Sequence, residues 1–232
     1  MARLTGRAAV AVAHRGDPYR ARENTLPSFR SAIAAGADAV ELDVRATADG
    51  VPVVVHDPTL RRLWGHDRPV AALTAAEVAE LTGGGVPTLA AALAVTAPVR
   101  TLIDLPERSA TTARATLAAV RAAGAADRVY YCGDPTALRA VREADPAAEI
   151  ALTWHRATRP PATLLAEVRP RWLNFRFGLI TEATVERARS QGYRVAAWTP
   201  DTRRTMRRLL ALGVESLTTN RVTTLCRLLD RP

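Results

Sequence analysis

Short apolar runs alternate with longer amphipathic stretches along most of the chain. Each run holds three to six residues and is rich in Val, Ala, Leu and Ile, a composition typical of buried strands. We predict strands at Ala8–Ala13, Ala39–Val44, Arg100–Asp104, Val129–Cys132, Glu149–Thr153, Trp172–Asn174, Val195–Trp198 and Ser216–Thr218. Most of the intervals between the runs have room for one helix, which a parallel pair of strands requires as its connection.

The longer stretches place Ala, Leu and Val at the spacing of an amphipathic helix. We predict helices at Leu26–Ala35, Thr111–Ala123, Thr136–Ala144, Ala162–Val168, Thr184–Gln191, Thr202–Leu212 and Val222–Leu229. Glycines that commonly end helices stand just before the next strand at Gly36, Gly124, Gly192 and Gly213. This repeated order predicts an α/β fold, a single (β/α)8 TIM barrel that spans residues 1–232. A doubly wound open sheet is the alternative.

The connection from Arg45 to Val99 is much longer than the others and forms an excursion between the second and third predicted strands. It contains the apolar run Val51–Val55, a helix predicted near Ala75–Leu81, and another helix after Pro87. Its three consecutive glycines lack the Gly-Lys-Ser/Thr ending of a phosphate-binding P-loop, so we interpret them as a turn. Long connections in barrel folds often carry function.

The chain has 32 basic and 23 acidic residues, a net charge of +9, and no lysine, so every basic residue is an arginine. Such a charge is compatible with a nucleic-acid partner. The arginines are, however, spread along the whole chain. The densest group, at positions 203, 204, 207 and 208, shares a predicted helix with a Met and Leu face, which indicates a solvated surface. We therefore expect no nucleic-acid binding.

Composition also bears on the compartment. Cys132 and Cys226 are too few and too far apart to indicate a disulfide framework. The apolar run Ala8–Ala13 is shorter than the 7–15 residues of a secretory signal core. No run approaches the ~20 apolar residues of a membrane span. We expect a cytoplasmic protein without stable membrane insertion, and we find no signal for an oligomeric state.

Acidic residues stand at the ends of two predicted strands, where the active sites of TIM barrels lie. Glu41 and Asp43 are two positions apart on one strand, so both carboxylates project from the same face. Asp104 ends the next strand. Such a cluster is suited to a hard divalent cation, Mg²⁺ or Ca²⁺, bound through oxygen atoms. The alternative is an ion pair with Arg15 or Arg45 and no metal.

Two histidines follow strand-like runs in the same region. His14 comes directly after the first strand, and His56 follows the apolar run of the long connection. Asp57 is placed to orient the ring of His56, and Arg15 is suited to bind an anionic oxygen. A metal, an arginine and two histidines around one phosphate make a phosphodiester hydrolase site, with one histidine as general base and the other as general acid. The sequence does not assign the two roles.

Four motifs in this order resemble the N-terminal signature of the glycerophosphodiester phosphodiesterase family. They are His14-Arg15-Gly16, Glu23-Asn24-Thr25, Glu41-Leu42-Asp43-Val44 and His56-Asp57-Pro58-Thr59-Leu60. The segments Trp198–Asp201 and Gly213–Asn220 resemble two C-terminal motifs of the same family, while the middle third matches weakly. The resemblance therefore extends over nearly the whole chain.

The resemblance implies a metal-dependent TIM barrel that hydrolyses a small-molecule partner, a glycerophosphodiester, to an alcohol and glycerol 3-phosphate. It gives His14 and His56 the acid and base roles. It makes Glu41 and Asp43 metal ligands, with Asp104 as the natural third. By the same matching, Arg15 contacts the phosphate and Asn24 shapes the pocket floor.

Three aromatic residues at strand ends, Trp154, Trp198 and Tyr131, are candidates to line the pocket for the alcohol, and we assign Trp198 to substrate binding. Each of them also suits a structural role in the core.

The chain departs from the family pattern on its third strand. The family usually has Glu-x-Lys there, and this chain has Asp104-Leu105-Pro106, which shortens one carboxylate and removes a positive charge. Glu107 is a possible replacement ligand. The departure keeps open a catalytically weakened or non-catalytic family member that binds phosphodiesters. A further alternative is an enzyme like phosphatidylinositol-specific phospholipase C, which would need an exposed apolar rim.

Overall fold

The computed structural model describes residues 9–230, which form nine strands and ten α-helices. The strands are β1 (Val10–Ala13), β2 (Ala39–Ala46), β3 (Pro52–Val54), β4 (Arg100–Leu105), β5 (Val129–Gly133), β6 (Ala151–Trp154), β7 (Trp172–Arg176), β8 (Arg194–Trp198) and β9 (Ser216–Thr219). The helices are α1 (Leu26–Ala34), α2 (Arg61–Trp64), α3 (Ala75–Thr82), α4 (Leu89–Val95), α5 (Ala110–Ala122), α6 (Pro135–Ala144), α7 (Ala162–Val168), α8 (Glu182–Ser190), α9 (Arg203–Ala211) and α10 (Val222–Leu229).

Eight of the strands form a parallel barrel in the order β5-β4-β2-β1-β9-β8-β7-β6. A single parallel bridge between Tyr131 and Ile150 brings the two end strands together and nearly closes the barrel. Because β1 pairs with both β2 and β9, the chain returns to its start, which excludes the doubly wound open sheet. The predicted barrel is confirmed.

Each predicted strand corresponds to a barrel strand, with small errors at the ends. The predicted strand Glu149–Thr153 corresponds to β6, which begins at Ala151, because Ile150 forms only an isolated bridge with Tyr131 and regular pairing with β7 starts at Ala151. Ala8, the first residue of the first predicted strand, lies outside the described residues. All seven predicted helices are present within one or two residues of their predicted ends.

Helix ends follow local chemistry. Thr25, Ser109, Thr181 and Thr202 each begin a helix with a side-chain oxygen that accepts a backbone N–H of the first turn. The four glycines predicted as stops have positive φ angles between 59° and 88°, a conformation that disfavours other residues. These glycines turn the chain back toward the next strand at the amino-terminal end of the barrel.

Between β2 and β4 the chain forms β3, α2, a 3₁₀ turn, α3 and α4. Strand β3 pairs antiparallel with the last residues of β2, at Val44–Val54 and Ala46–Pro52. A separate small core beneath these elements contains Val53, Val55, Leu60, Val70, Leu73, Val78 and Val86. The pairing extends one residue further, since the Val55 N–H donates to the Asp43 carbonyl at 3.0 Å. It therefore brings His56 close to Asp43, where the pairing of β2 with β4 ends.

The barrel interior is layered. A buried cluster of Val12, Ala39, Leu102, Tyr130, Cys132, Ala151, Trp172 and Ala196 occupies it. Successive inward residues are two positions apart, so the next layer toward the carboxyl ends includes Asp43 and Asp104, which lie opposite each other in the β2–β4 register. An apolar plug therefore lies beneath the polar residues. Among the residues that the structure describes, no helix combines the length and hydrophobicity needed to cross a bilayer.

Candidate active site

The loop after β1 contains His14, Arg15 and Gly16. Gly16 has a φ of 88°, and a Cβ atom there would lie 2.3 Å from the Ser28 Oγ, so only glycine fits. Arg15 also has a positive φ of 55°. The Ser28 hydroxyl donates to the Arg15 carbonyl at 3.0 Å, and the Arg15 N–H donates to Glu41 Oε2 at 2.9 Å. This tight turn therefore fixes the arginine backbone against the acidic cluster.

The three predicted metal ligands are together. Glu41, Asp43 and Asp104 each offer an oxygen atom, and these atoms all lie within 4.8 Å of one another. Asn24 holds Asp43 by donating from Nδ2 to Oδ2 at 2.7 Å, and Arg15 Nε lies 3.1 Å from the same oxygen. Asn24 thus holds one carboxylate of the acidic cluster.

Burial and mutual repulsion make this cluster unfavourable when no cation is bound. Desolvation, with the charges of Asp43 and Asp104, raises the pKa of Glu41 well above its usual range. Desolvation and the neighbouring Asp43 raise the pKa of Asp104 to about 7. Asp43 Oδ1 and Asp104 Oδ1 are buried without a hydrogen-bond partner. Buried carboxylate oxygens that lack partners fit a hard divalent cation.

The alternative of an ion pair without metal accounts for only part of the cluster. Arg15 does pair with Asp43, but its Nη1 donates to Glu23 at 2.9 Å. Arg45 forms its ion pair with Glu107, at 2.7 Å, rather than with one of the three ligands. Glu107 also accepts from the Thr112 hydroxyl at 3.0 Å, so its carboxylate is occupied outside the cluster.

The ring of His14 is held in one tautomer by Asn220. Asp201 accepts hydrogen bonds from the backbone N–H and from Nδ2 of Asn220, at 2.9 and 2.8 Å. The amide therefore presents Oδ1 to His14 Nδ1, at 2.7 Å, and this ring nitrogen must carry the proton. Burial, and then the charge of Arg15, lower the pKa of His14. The neutral ring therefore keeps the lone pair of Nε2.

His56 has a different partner. Its Nδ1 lies 2.7 Å from Asp57 Oδ1, and its side chain is 40% exposed. Hydrogen bonding to Arg62, above all, lowers the pKa of Asp57 to about 2. The ionised carboxylate only accepts, so His56 Nδ1 donates to it. Arg62 also donates to Glu23, at 2.7 Å, and Glu23 in turn binds Arg15.

Comparison with known proteins places the chain in an enzyme family. The model of the glycerophosphoryl diester phosphodiesterase family matches residues 14–224, which include every candidate site residue named above. The chain belongs to this family. The family comprises phosphoric diester hydrolases, and the acidic cluster of this member has the composition of a possible metal site.

Relatives agree over the full length. The chain is 28% identical to the glycerophosphodiester phosphodiesterase of Caldanaerobacter subterraneus subsp. tengcongensis, over 95% of this chain and 97% of that protein. The crystal structure of a glycerophosphodiester phosphodiesterase from Thermotoga maritima has a TM-score of 0.82 at 27% identity, covering 94% and 98%. An Oleispira antarctica phosphodiesterase, solved with the product sn-glycerol-3-phosphate, shares the fold with a TM-score of 0.86 at 23% identity, covering 96% and 97%.

The structure separates the three aromatic candidates. Trp198 lies on the same face of β8 as the inward Ala196, is half-buried, and donates from its indole to the Asn174 carbonyl at 3.2 Å. Tyr131 and Trp154 instead pack in the larger core between the barrel and its helices. Those two do not face the barrel mouth, so Trp198 is the one that remains a candidate for substrate contact.

The position that differs from the family pattern has a second arginine nearby. Arg45 Nε donates to the His56 carbonyl at 2.8 Å, and its guanidinium is held by Glu107. The charges of Arg15 and Arg45 both act to lower the pKa of Asp104, against the larger effect of burial. Positive charge is therefore present near Asp104 although Pro106 supplies none.

Sequence reasoning did not give roles to Arg62, Asp201 and Asn220. Asp201 and Asn220 lie within motifs that resemble the family, but their contact joins residues 19 positions apart and reaches a histidine 206 positions away. Arg62 lies in the long connection, where no periodic pattern marks it. The available signal was an aspartate and an asparagine at the ends of two successive strands, next to the first histidine loop.

Proposed function

We propose that the protein, as a single catalytic domain over residues 1–232, hydrolyses glycerophosphodiesters to an alcohol and glycerol 3-phosphate. In this proposal His14 is the general base and His56 is the general acid. The observation that carries it is that the two imidazole rings have different partners. The ring of His14 is buried, is held through Nδ1 by an amide and has a lowered pKa. The ring of His56 is half-exposed and is held by an ionised carboxylate.

The side chains act as follows. Neutral His14 takes a proton at Nε2 from the attacking hydroxyl as its oxygen bonds to phosphorus. His56, protonated at both nitrogens, gives the Nε2 proton to the leaving alkoxide as the P–O bond breaks. The attacking hydroxyl belongs to a water molecule, which supplies the atoms that the products require. After product release His14 gives its extra proton to solvent and His56 takes one up from solvent, so both rings return to their starting states. Arg15, anchored by Asp43 and Glu23, contacts a non-bridging phosphate oxygen.

Glu41, Asp43 and Asp104 would hold the divalent cation, which we propose is Mg²⁺ or Ca²⁺. When bound, the cation offsets charge on the phosphate oxygens. Two of the three carboxylates have an oxygen atom without a hydrogen-bond partner, which supports this assignment. Trp198 is proposed to contact the alcohol, and Asn24 to fix the pocket floor through Asp43.

We further propose a cytoplasmic protein whose partner is a small molecule rather than nucleic acid. A phospholipase C-like role has less support, because an apolar rim is missing from the described part of the chain. Within residues 9–230, Tyr19 is the one large hydrophobic side chain that is mostly exposed, at 61%.

The test is a direct assay of product. Purified protein with Mg²⁺ or Ca²⁺ is expected to release glycerol 3-phosphate from glycerophosphocholine, glycerophosphoethanolamine or glycerophosphoglycerol, and a chelator should stop the release. Binding of these diesters without any turnover would contradict the enzyme proposal and favour the non-catalytic alternative.

Arg62 is proposed to position both His56, through Asp57, and Arg15, through Glu23. Loss of such a supporting partner typically lowers activity by about 10- to 100-fold. We expect Arg62→Gln to lower kcat by roughly that factor with little change in Tm, because the side chain is half-exposed. Steady-state kinetics and thermal melts measure both quantities.

Arg61→Gln is the matched control. Arg61 is the exposed neighbour, and among the residues that the structure describes its guanidinium pairs with Asp67, at 3.9 Å, and not with Asp57 or Glu23. It should retain wild-type kcat. Equal losses in the two variants would show that Arg62 acts only through surface charge.

A further inference from the structure

A groove between α7 and α8 lies outside the site described above. Leu173 and Phe175 project from the outer face of β7 and form its floor, and Leu165 and Leu179 add apolar walls. Its cavity of about 610 Å³ falls within the ~300–1,000 Å³ of small-molecule sites. A second cavity of about 690 Å³ shares Ala162, Leu165 and Gln191 with it. The two cavities therefore adjoin one another beside α7 and α8.

The charged residues that line this groove are all positive. Arg156, Arg159 and Arg187 line it, and no aspartate or glutamate does. All three arginines are exposed, and none forms an ion pair within the described range 9–230, whereas Arg139 on the preceding helix pairs with Glu167 at 2.6 Å. Guanidinium groups beside an apolar floor suit a ligand that is both apolar and negatively charged.

We propose that this groove binds a single-chain anionic amphiphile, namely a long-chain fatty-acid anion. The alkyl chain lies on Leu173 and Phe175 between the helices, and the carboxylate pairs with Arg159 and its neighbouring arginines. Two adjoining cavities with apolar walls accommodate one extended alkyl chain better than a compact polar molecule. The absence of lining carboxylates disfavours cationic and zwitterionic amphiphiles.

The chemistry of the proposed substrate connects with this ligand. A glycerophosphodiester is produced from a diacyl glycerophospholipid when both acyl esters are hydrolysed, and each hydrolysis releases a fatty-acid anion. The class of reaction that must supply the substrate therefore also supplies the ligand. This connection rests on the proposed function, whereas binding to the groove is independent of it and is tested without measuring turnover.

The first experiment titrates the full-length protein with dodecanoate below its micelle concentration, by calorimetry and by NMR of leucine methyl groups. We expect saturable one-to-one binding, with shifts concentrated at Leu165, Leu173 and Leu179. Dodecyltrimethylammonium, which has the same chain and the opposite charge, should bind about tenfold more weakly or less. Equal affinity for the two amphiphiles, or shifts spread over the whole protein, would overturn the proposal.

The second experiment uses matched charge reversals. Arg159→Glu should weaken dodecanoate binding by about tenfold or more, and Leu179→Asp should do the same by interrupting the apolar wall. Arg204→Glu makes the same charge change on the exposed face of α9 and should leave the affinity unchanged. Equal losses of affinity in the two arginine variants would show that only the net charge of the protein matters, which would overturn the proposal. Self-association in sedimentation that Arg159→Glu abolishes would make the groove an interface between copies and overturn the lipid proposal.

Discussion

Replacing His14 with alanine is expected to lower kcat for glycerophosphocholine by about 10²–10⁴, the usual contribution of a positioned acid or base. His14 is buried, and its Nδ1 is committed to Asn220, so its one available nitrogen is Nε2. No other described histidine is placed to substitute, since His56 bonds Asp57, His66 lies in the loop after α2, and His155 lies exposed on the loop after β6. Steady-state kinetics with saturating metal measure the loss.

The leaving group separates the base from the acid. A p-nitrophenyl ester of glycerol 3-phosphate releases a phenolate that needs no proton. His56→Ala should therefore lower kcat for glycerophosphocholine by a factor of about 10²–10⁴, but lower kcat for this ester by less than about tenfold. His14→Ala should lower kcat by the same factor for both substrates. The reverse pattern would exchange the two assignments.

His155→Ala is the matched control for both variants. It removes an imidazole from an exposed position after β6 and should change kcat by less than about twofold, as surface substitutions usually do. A large effect there would show that loss of activity does not report on the two site histidines.

The fold was predictable from sequence because its signals are local. Threonine and serine caps, glycine stops and short apolar runs each act within a few residues, and they recur in every unit of the barrel. The start of β6 shows the limit of such signals. Glu149 fits the local pattern, but regular pairing with β7 begins only at Ala151, and the position of a neighbouring strand is not contained in a local pattern.

The candidate site divides in the same way. The acidic cluster followed from strand periodicity and from the rule that barrel sites lie at carboxyl ends, so Glu41, Asp43 and Asp104 were found. The orientation of each histidine depends on pairings made only in the folded chain, such as Asn220 with His14. Arg62 was missed because its two carboxylate partners come from loops that sequence alone does not bring together.

The acidic cluster makes the strongest case for a stability effect. An aspartate whose pKa is raised to about 7 binds a proton in the folded protein at pH values where the unfolded chain has released it. Stability of the metal-free protein therefore falls as pH rises from about 4 to about 7. Asp104→Asn removes this ionisation. In chelator it should raise Tm relative to wild type at pH 8, and raise it much less at pH 5.

Asp104→Asn should also abolish the rise in Tm that the cation causes, and it should abolish turnover. A cation at about 100 times its Kd stabilises a folded protein by about 2.7 kcal/mol, which corresponds to roughly 5–11 °C in Tm at this chain length. We expect Mg²⁺ or Ca²⁺ to produce such a shift in wild type and none in Asp104→Asn. Glu107→Gln is the matched control, since its carboxylate serves Arg45 and Thr112, and it should keep the shift. A shift lost in Glu107→Gln but kept in Asp104→Asn would place the cation on Glu107 instead. No Tm shift in wild type at any cation concentration would show that the three carboxylates bind protons rather than a cation. Arg15 and Arg45 would then have to offset the negative charge of the phosphate.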